Sequence, residues 1–518
     1  MRTIKDKKII QQNFEDLLRD ESGYESGVPK EIYFPESKDQ LREIIKYAAQ
    51  NREKITFIGA QSGTTGGAVP VENCIAICFS SMNKIHKIEW KNNSSPILYC
   101  DPGITLDEIA AFLRAPKDWP YFVEGSEYLV DNSYFYPPDP TEKTAQLGGT
   151  IATNASGART FRFGPTRTHV QYLSLITASA QTVSIKRGCI FEQKNGFDIH
   201  TDQGTLISIP PLTYSSPDTK NASGYYSKPQ HSNKPNDLID LFIGSEGTLA
   251  CISEIGIRLH QKMEFLSGLS FFDTREGAFD FADFLKTDPN CASIEFFDQS
   301  TLDLINANRT DSDNSIPLFP GHRTCAILWE YMENESKPFE SVFEIWENKL
   351  LTNGSSFDDT WSGFDLSEQQ QLKNFRHIVP ETINRLIAAA KRNCKSIRKI
   401  GTDSALSDKS FRAVYNESLK IIETGNVTFA SFGHLGNNHL HINLIPKNEK
   451  ELSDSLRIYD SLMQLAVDNG GTVSAEHGIG KIKKNQLLRM YGPDAIDQMR
   501  RVKDSLDPDW IFNPENMF

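Results

Sequence analysis

Residues 55–70 read ITFIGAQSGTTGGAVP and join a short apolar run to a loop of small residues. The run at 55–58 is rich in β-branched and aromatic side chains, which predicts a strand. Five of the nine residues from 59 to 67 are Gly or Ala, and three others carry hydroxyls. So few side chains let backbone N–H groups approach a pyrophosphate closely. The loop therefore predicts either a phosphate-binding site or a tight structural turn, and alone it does not separate the two.

The pattern around this loop predicts the domain organisation. From residue 32 to about 259, short β-rich runs alternate with Gly-rich turns and helix-length segments, such as residues 37–51, where apolar side chains recur at helical spacing. From about residue 265, longer apolar strands alternate with amphipathic helices, which predicts an α+β second domain. We expect a helical segment at 1–30, a first domain at 31–264 and a second domain at 265–518.

Composition excludes several classes of protein. The 518 residues carry 55 Lys and Arg against 68 Asp and Glu, a net charge of −13. Such a chain lacks the positive field that gathers nucleic acid. The 8 cysteines include no Cys-x-x-Cys pair, which argues against an iron–sulfur domain, a zinc ribbon or a disulfide scaffold. We expect no signal peptide and no membrane span, and we predict a cytoplasmic protein.

Two further segments have the same kind of composition as the first loop, with small residues next to polar ones. Residues 136–167 read YPPDPTEKTAQLGGTIATNASGARTFRFGPTR, and residues 241–259 read LFIGSEGTLACISEIGIRL. Both place small residues beside local polar groups. In isolation each of them is more often a turn than a site, and it is their order and spacing that is specific.

In that order and spacing, the three segments resemble those of FAD-binding flavoproteins of the vanillyl-alcohol oxidase type. More narrowly, they are similar to the D-lactate, D-2-hydroxyglutarate and glycolate dehydrogenases, from about residue 35 to residue 518. The resemblance implies an α+β fold with a two-subdomain, PCMH-type FAD-binding domain. It also implies a substrate-binding cap domain with an antiparallel sheet, and a tail at 500–518 that returns to the FAD domain.

The resemblance also implies which residues bind FAD. From the first loop these are Gly59, Ala60, Gln61, Ser62, Gly63, Thr64 and Thr65; from the second segment Pro138, Asp139, Thr144, Ala145, Gly148, Gly149, Thr153, Asn154, Ala155, Ser156 and Gly157; and from the rest of the chain Glu246, Gly247, Ile252 and Asn513. Gln61 departs from the family, where glycine is usual. We expect FAD to bind noncovalently, because the first loop has no histidine; His169 lies beside the second segment.

The second domain carries a cluster of histidines. Residues 432–444 read FGHLGNNHLHINL, and residues 473–484 read VSAEHGIGKIKK. Strand alternation places His439, His441 and Asn443 on one face, and we expect His434 in the Gly-flanked turn before that strand. Imidazole and carboxylate groups together suit Zn²⁺ and similar divalent metals. Scattered, hydrogen-bonded histidines are the alternative.

These two stretches resemble the signature of metal-containing 2-hydroxy-acid dehydrogenases. The resemblance implies that His434, His441 and Glu476 are metal ligands, with Zn²⁺ the expected metal. It implies that His477 is the catalytic base and that Asn443 positions the substrate. The family usually has Asp-Gly-Asn where this chain has Asn-Asn-His at 437–439, so whether His439 joins the ligands stays open.

A carboxylate substrate needs a cation, ideally a bidentate arginine. Residues 374–381, NFRHIVPE, resemble the family stretch whose arginine binds the substrate carboxylate, which points to Arg376. Residues 399–408, KIGTDSALSD, resemble a second stretch and point to Lys399, although Leu406 and Ser407 replace the usual Val-Pro. For either cation, the alternative is an exposed position with no role in the site.

The sequence thus predicts an FAD-dependent dehydrogenase that oxidises a small D-2-hydroxy acid to the 2-oxo acid with the help of a divalent metal. A flavin-binding subunit without turnover and a zinc hydrolase are the competing interpretations. The side chain of the substrate, the electron acceptor (quinone, a soluble carrier or O₂) and the oligomeric state stay open. A peripheral contact with the inner face of a membrane would suit a quinone. Two loops, at 114–136 and 210–236, have no predicted role.

Overall fold

A computed structural model describes residues 1–90, 95–229, 231–309, 319, 321, 323–333, 337–363 and 366–518. The strands are β1 Arg2–Ile4, β2 Glu31–Phe34, β3 Ile55–Ile58, β4 Ile75–Cys78, β5 Ile85–Glu89, β6 Ile97–Cys100, β7 Tyr134–Phe135, β8 Val170–Ile176, β9 Thr182–Lys186, β10 Phe197–His200, β11 Leu206–Ile209, β12 Cys251–Arg258, β13 His260–Gln261, β14 Glu264–Phe272, β15 Cys291–Asp298, β16 Cys325–Glu333, β17 Thr360–Gly363, β18 Ile400–Gly401, β19 Ser404–Ala405, β20 Thr428–His434 and β21 His439–Ile445.

The α-helices are α1 Lys7–Asn13, α2 Lys38–Asn51, α3 Leu106–Arg114, α4 Leu147–Ala152, α5 Thr160–Phe163, α6 Thr166–His169, α7 Leu238–Phe242, α8 Arg275–Thr287, α9 Gln299–Ala307, α10 Phe343–Thr352, α11 Leu366–Asn393, α12 Asp408–Glu423, α13 Glu449–Asp468 and α14 Lys484–Leu506. Mixed helices and largely antiparallel sheets confirm the predicted α+β fold class.

The chain forms two compact units. Unit 1 contains residues 1–156, 164–262 and 474–518, and unit 2 contains residues 157–163 and 263–473. The sequence-based boundary lay at residue 264, with a return at residue 500. In the structure the returning segment already starts at residue 474, and it carries Glu476 and His477 into unit 1.

Unit 1 is built on two larger sheets, with the two-stranded pairs β10–β11 and β7–β13 beside them. One has the strand order β1-β2-β4-β3, with parallel pairing of β4 to both β2 and β3. The other has the order β5-β6-β12-β8-β9 and is antiparallel throughout. Helix α2 shows how local sequence defines these elements. The Ser37 side chain accepts a hydrogen bond from the Gln40 N–H at its start, Arg52 ends it in the left-handed conformation, and its apolar face is buried.

The C-terminal segment of unit 1 is attached to the same sheet that carries the first Gly-rich loop. Ile55 at the start of β3 exchanges backbone hydrogen bonds with Ile511 and Asn513, over 2.7 and 2.8 Å. A buried ion pair holds this segment at the end of α14: the Lys503 ammonium lies 2.7 Å from the Asp507 carboxylate. Lys503 also donates to the carbonyls of Thr248 and Phe512, so that one buried cation joins three parts of unit 1.

The Asp507→Asn variant should therefore lose about 3–5 kcal/mol of stability, because breaking a buried pair leaves a buried charge without its partner. The two side chains are only 2% and 0% exposed. Differential scanning calorimetry should show a lower unfolding temperature. The matched control is Asp497→Asn, which breaks the exposed Asp497–Arg500 pair on the same helix and should change stability by less than about 0.5 kcal/mol. Equal shifts in the two variants would contradict a role of the buried pair.

In the described residues of unit 2, eight strands form one sheet with the order β17-β14-β16-β15-β20-β21-β18, and β19 is also paired to β21. The pairs described within it are antiparallel. Its helices pack on a core that is unusually aromatic and includes Trp329, Trp346 and Phe297. The β20–β21 hairpin lies inside this sheet, between β15 and β18, so its backbone is held on both sides.

Candidate active site

The first Gly-rich loop follows β3 as predicted and leaves donors for an anion. Within the described part of the chain, the backbone N–H groups of residues 60–65 donate no hydrogen bond to protein. Nearby, the buried Oε1 of Gln146 has no hydrogen-bond partner in the part of the chain that the structure describes, and a Cβ built on Gly59 would lie 3.5 Å from it. Consecutive N–H groups without acceptors are typical of anion-binding loops. The residues present therefore fit the pyrophosphate of a dinucleotide.

Gln61 shows why glycine is usual at its position. Its φ is 56°, a left-handed conformation that favours glycine. Its side chain donates through Nε2 to the carbonyls of Leu17 and Ala68, at 2.7 and 3.3 Å. The Gln61 amide thus bonds to backbone carbonyls of unit 1, and these bonds accommodate glutamine where the family usually has glycine.

Glu246 connects the third Gly-rich segment to the turn that carries His477. Its carboxylate accepts hydrogen bonds from the backbone N–H groups of Ile479 and Gly480, at 2.6 and 2.7 Å. Burial raises the pKa of Glu246 to about 7, although these two N–H groups oppose the shift. Thr65 of the first loop reaches the same turn and donates to the His477 carbonyl over 3.3 Å. Unit 1 thus places the predicted flavin-binding loops against the predicted base.

The other predicted FAD-binding residues occupy several parts of unit 1. Gly148 and Gly149 lie in α4, and a Cβ on Gly149 would meet no atom within 4 Å. Asn513 bridges two of the predicted segments, since its side chain accepts from the Phe57 N–H and donates to the Glu246 carbonyl. The remaining residues that the structure assigns to unit 1 are Pro138, Asp139, Thr144, Ala145, Thr153, Asn154, Ala155, Ser156, Gly247 and Ile252. Gly157 belongs to unit 2.

His169, the histidine beside the second segment, is fully buried in unit 1. Its ring contacts those of Tyr136 and His260, with centroids 5.8 and 5.1 Å apart. The side chain is thus part of an aromatic cluster.

In unit 2, three histidines meet on the β20–β21 hairpin. The predicted alternation is confirmed: Leu440 and Ile442 point into the apolar core, and the His439 and His441 ring centroids are 4.4 Å apart. The expected position of His434 is wrong. It is the last residue of β20 and lies directly opposite His439 in the register. A ring nitrogen of each of the three lies within 4.8 Å of one from each of the others.

Two of these histidines are oriented through Nδ1. The His441 Nδ1 lies 3.2 Å from the Thr402 carbonyl, which only accepts, so this nitrogen carries the proton. The His434 Nδ1 lies 2.5 Å from Oε1 of Glu295, a carboxylate that is 4% exposed. With Nδ1 donating, the neutral ring keeps its lone pair on Nε2. Such a partner on the far nitrogen is what metal-ligating histidines require, so the donor set fits a divalent metal.

His439 has a different partner. Its Nε2 lies 3.0 Å from Oδ1 of Asp403, and both side chains are 0% exposed. This carboxylate lies beside the opposite ring nitrogen from the one that faces an acceptor in His434 and His441.

The predicted substrate cations differ in their surroundings. Arg376, on α11, is half-buried, and its Nε lies 3.4 Å from Oε2 of Glu295, the carboxylate that also orients His434. Lys399 is exposed and immediately precedes β18. Asn443 on β21 is buried, and its Nδ2 has no hydrogen-bond partner among the described residues. Arg376 and Asn443 are thus polar groups held in the same unit as the histidines.

Glu476 and His477 lie side by side in unit 1. Oε1 of Glu476 is 3.8 Å from Nε2 of His477, which is one-third exposed. Oε2 of Glu476 accepts from the Lys220 ammonium at 2.7 Å and from the Ser156 hydroxyl at 3.2 Å. This carboxylate is therefore well anchored within its own unit.

Sequence reasoning missed three of these charged groups. Glu295 is the acid inside the otherwise largely apolar strand CASIEFFD, and a charge in a buried strand is a readable signal. Asp403 lies in the segment KIGTDSALSD, in which the resemblance marks only Lys399. Lys220 lies in the polar 210–236 loop, where nothing in the local sequence marks it.

Comparison with known proteins gives two family matches. Residues 264–517 match the FAD linked oxidases, C-terminal domain, and residues 29–126 and 122–186 match an FAD binding domain. These matches confirm the resemblance that the three Gly-rich segments predict. They also support the PCMH-type interpretation of the first domain. None of the helices that the structure describes combines the length and the hydropathy that a bilayer crossing requires.

Curated relatives match at modest identity over nearly the whole chain. D-lactate dehydrogenase of Archaeoglobus fulgidus is 24% identical over 486 residues, covering 93% of this chain and 89% of the relative. Glycolate oxidase subunit GlcD of Bacillus subtilis is 25% identical, covering 95% and 89%. D-2-hydroxyglutarate dehydrogenase of Stutzerimonas stutzeri is 24% identical, covering 95% and 91%. A solved alkyldihydroxyacetonephosphate synthase shares the fold, with a TM-score of 0.63, 14% identity, and coverage of 99% and 82%.

Proposed function

Because the chain belongs to the FAD-linked oxidoreductases, we propose that it oxidises a small D-2-hydroxy acid to the corresponding 2-oxo acid. The observation that carries this proposal is the Glu295 carboxylate, which orients the predicted metal ligand His434 and contacts the predicted substrate cation Arg376. One buried acid thus links a metal-binding group to an anion-binding group. The names of the relatives, which act on D-lactate, glycolate or D-2-hydroxyglutarate, supply the substrate class.

FAD would be held by the loops of unit 1, and when bound it accepts the hydride that leaves C2 of the substrate. The N–H groups of residues 60–65 supply acceptor-free donors for its pyrophosphate. Glu246 and Thr65 hold the turn of residues 477–480 against the same loops, so that the base and the cofactor site share one rigid support.

A divalent metal, with Zn²⁺ the best match to the donors, would be held by His434, His441 and Glu476. A metal supplies positive charge to the carboxylate and hydroxyl oxygens of the substrate, which favours loss of the hydroxyl proton. His434 and His441 offer Nε2, because Nδ1 of each is held by an acceptor. His439 is engaged by Asp403 and is proposed to pack beside the ligands.

The remaining steps belong to side chains of this chain. The Arg376 guanidinium binds the substrate carboxylate. Asn443 offers a substrate oxygen its Nδ2, which has no hydrogen-bond partner among the described residues. Lys399 adds a positive charge at the edge of the sheet. A ring nitrogen of His477 takes the hydroxyl proton, and the negative charge of the neighbouring Glu476 carboxylate favours the imidazolium so formed.

The Arg376→Lys variant should raise KM for the hydroxy acid by about 10- to 100-fold, because lysine keeps the charge but loses the bidentate fork. FAD content should not change, since Arg376 lies in unit 2. Steady-state kinetics with an artificial electron acceptor measure the effect. The matched control is Arg385→Lys on the same helix, whose guanidinium donates to the Asn308 carbonyl. Equal KM values in the two variants would remove Arg376 from the substrate site.

The proposed function is tested by anaerobic titration of the purified holoenzyme. Flavin absorbance is followed while D-lactate, L-lactate, D-2-hydroxyglutarate and glycolate are added, with and without a chelator. Bleaching by a D-acid that the chelator abolishes is the expected result. Bound flavin that none of these acids bleaches would contradict the substrate class and favour a flavin-binding subunit without turnover. Protein that binds no flavin, even with added FAD, would overturn the proposal.

A further inference from the structure

The 210–236 loop, which has no predicted role, delivers a buried lysine to Glu476. The Lys220 side chain is only 2% exposed, and its ammonium lies 2.7 Å from Oε2 of Glu476. Lysine is rarely buried to this extent unless its charge is paired. Lys220 and Glu476 both belong to unit 1, and 256 positions separate them in sequence.

The backbone next to Lys220 is fixed to the segment that carries Glu476. The Ala222 N–H donates to the Ser474 carbonyl over 2.9 Å. The Ser223 hydroxyl donates to the same carbonyl over 2.9 Å and accepts from the Ser474 N–H over 3.0 Å. The Asn221 carbonyl accepts from the Asn154 side chain over 3.2 Å. The three residues that follow Lys220 are thus hydrogen-bonded to the rest of unit 1, so the fold fixes the position of the lysine beside Glu476.

The two oxygens of Glu476 have different surroundings. Oε2 receives the Lys220 ammonium and the Ser156 hydroxyl, whereas Oε1 lies towards His477. We infer that Lys220 is a positioning residue: it anchors Oε2 and so pre-orients the Glu476 carboxylate to bind the divalent metal through Oε1. This inference rests on the proposed function, in which Glu476 is a ligand. Ionised hydrogen bonds of this kind are about twice as strong as neutral ones, so the lysine dominates over Ser156.

The test uses Zn²⁺ affinity of the FAD-loaded protein, measured by competition with a chelator of known affinity. Loss of a residue that orients a ligand weakens metal binding by about 10- to 100-fold, which is the result expected for Lys220→Met. Lys220→Gln retains an N–H donor and should lose less. Lys228→Met, in the same loop, serves as the matched control and should bind Zn²⁺ like the wild type. FAD content and unfolding temperature verify that each variant is folded.

Each outcome decides the inference. Equal Zn²⁺ affinities in the wild type, Lys220→Met and Lys228→Met would overturn it. Tighter binding in Lys220→Met would also overturn it, because the ammonium would then compete with the metal. If Lys220→Met fails to fold, Lys220→Gln decides: a folded Lys220→Gln protein that binds Zn²⁺ more weakly than Lys228→Met supports the inference, and one with wild-type affinity overturns it. A wild type that binds no Zn²⁺ would overturn the proposed function, and the inference with it.

Discussion

Replacing His477 with asparagine should slow anaerobic reduction of the flavin by about 10²- to 10⁴-fold, the range that general-base catalysis contributes. Asparagine is close to histidine in size but cannot accept the hydroxyl proton as a base. FAD should stay bound, because the contacts that hold the turn use backbone atoms: the His477 carbonyl accepts from Thr65, and Glu246 accepts from Ile479 and Gly480. Stopped-flow absorbance with the best D-acid substrate measures the rate.

The control for this variant is His200→Asn at the exposed last position of strand β10, and this variant should reduce flavin at the wild-type rate. Flavin content, read from the absorbance ratio of flavin to protein, separates a lost base from a lost cofactor. If His477→Asn is reduced as fast as His200→Asn, another group removes the proton and the assignment of the base is wrong.

Replacing His434 or His441 with alanine should remove the proposed metal. Loss of a partner that only orients a ligand already costs about 10- to 100-fold in affinity, so loss of the ligand itself should cost at least 100-fold, or about 2.7 kcal/mol. Elemental analysis of dialysed protein should show the Zn²⁺ content of either variant falling from about one ion per chain to a trace. Flavin reduction should fall with it and should not recover when moderate Zn²⁺ is added.

The same experiment decides the role of His439. The Nε2 of His439 lies 3.0 Å from the Asp403 carboxylate, whereas His434 and His441 face their acceptors through Nδ1. We therefore expect His439→Asn to retain Zn²⁺. A loss as large as that of His434→Ala would make His439 a ligand, and retained Zn²⁺ in both His434→Ala and His441→Ala would contradict the metal site.

Much of the fold could be predicted because it depends on short-range patterns. The strand at 55–58 and the helix near 37–51 follow from local spacing, and the structure has them as Ile55–Ile58 and Lys38–Asn51. The error at His434 has a physical reason. Two glycines flank it, at 433 and 436, and glycine suggests a turn, but hydrogen bonds to β21 extend β20 to its end. Pairing across the hairpin, from His434 to His439, overrides the turn signal of the two glycines.

The charged partners of the site could not be predicted in the same way. Glu295 meets His434 across 139 positions, and Lys220 meets Glu476 across 256. Nothing in the spacing of residues along the chain encodes such contacts, because they depend on which strands and loops become neighbours. A charged residue inside an otherwise apolar strand is the one local signal. It predicts that the charge has a partner, but it does not predict which residue that partner is.

The sequence by itself determined the family, the α+β fold class and the list of chemical groups, since Gly-rich loops, His alternation and an Arg motif are local and ordered along the chain. Only the tertiary structure decided how those groups are oriented. It showed which nitrogen of each histidine is engaged, that one glutamate serves both His434 and Arg376, and that a lysine from a loop without a predicted role holds Glu476. The reason is that orientation comes from buried hydrogen bonds between distant segments, and these form only when the chain has folded.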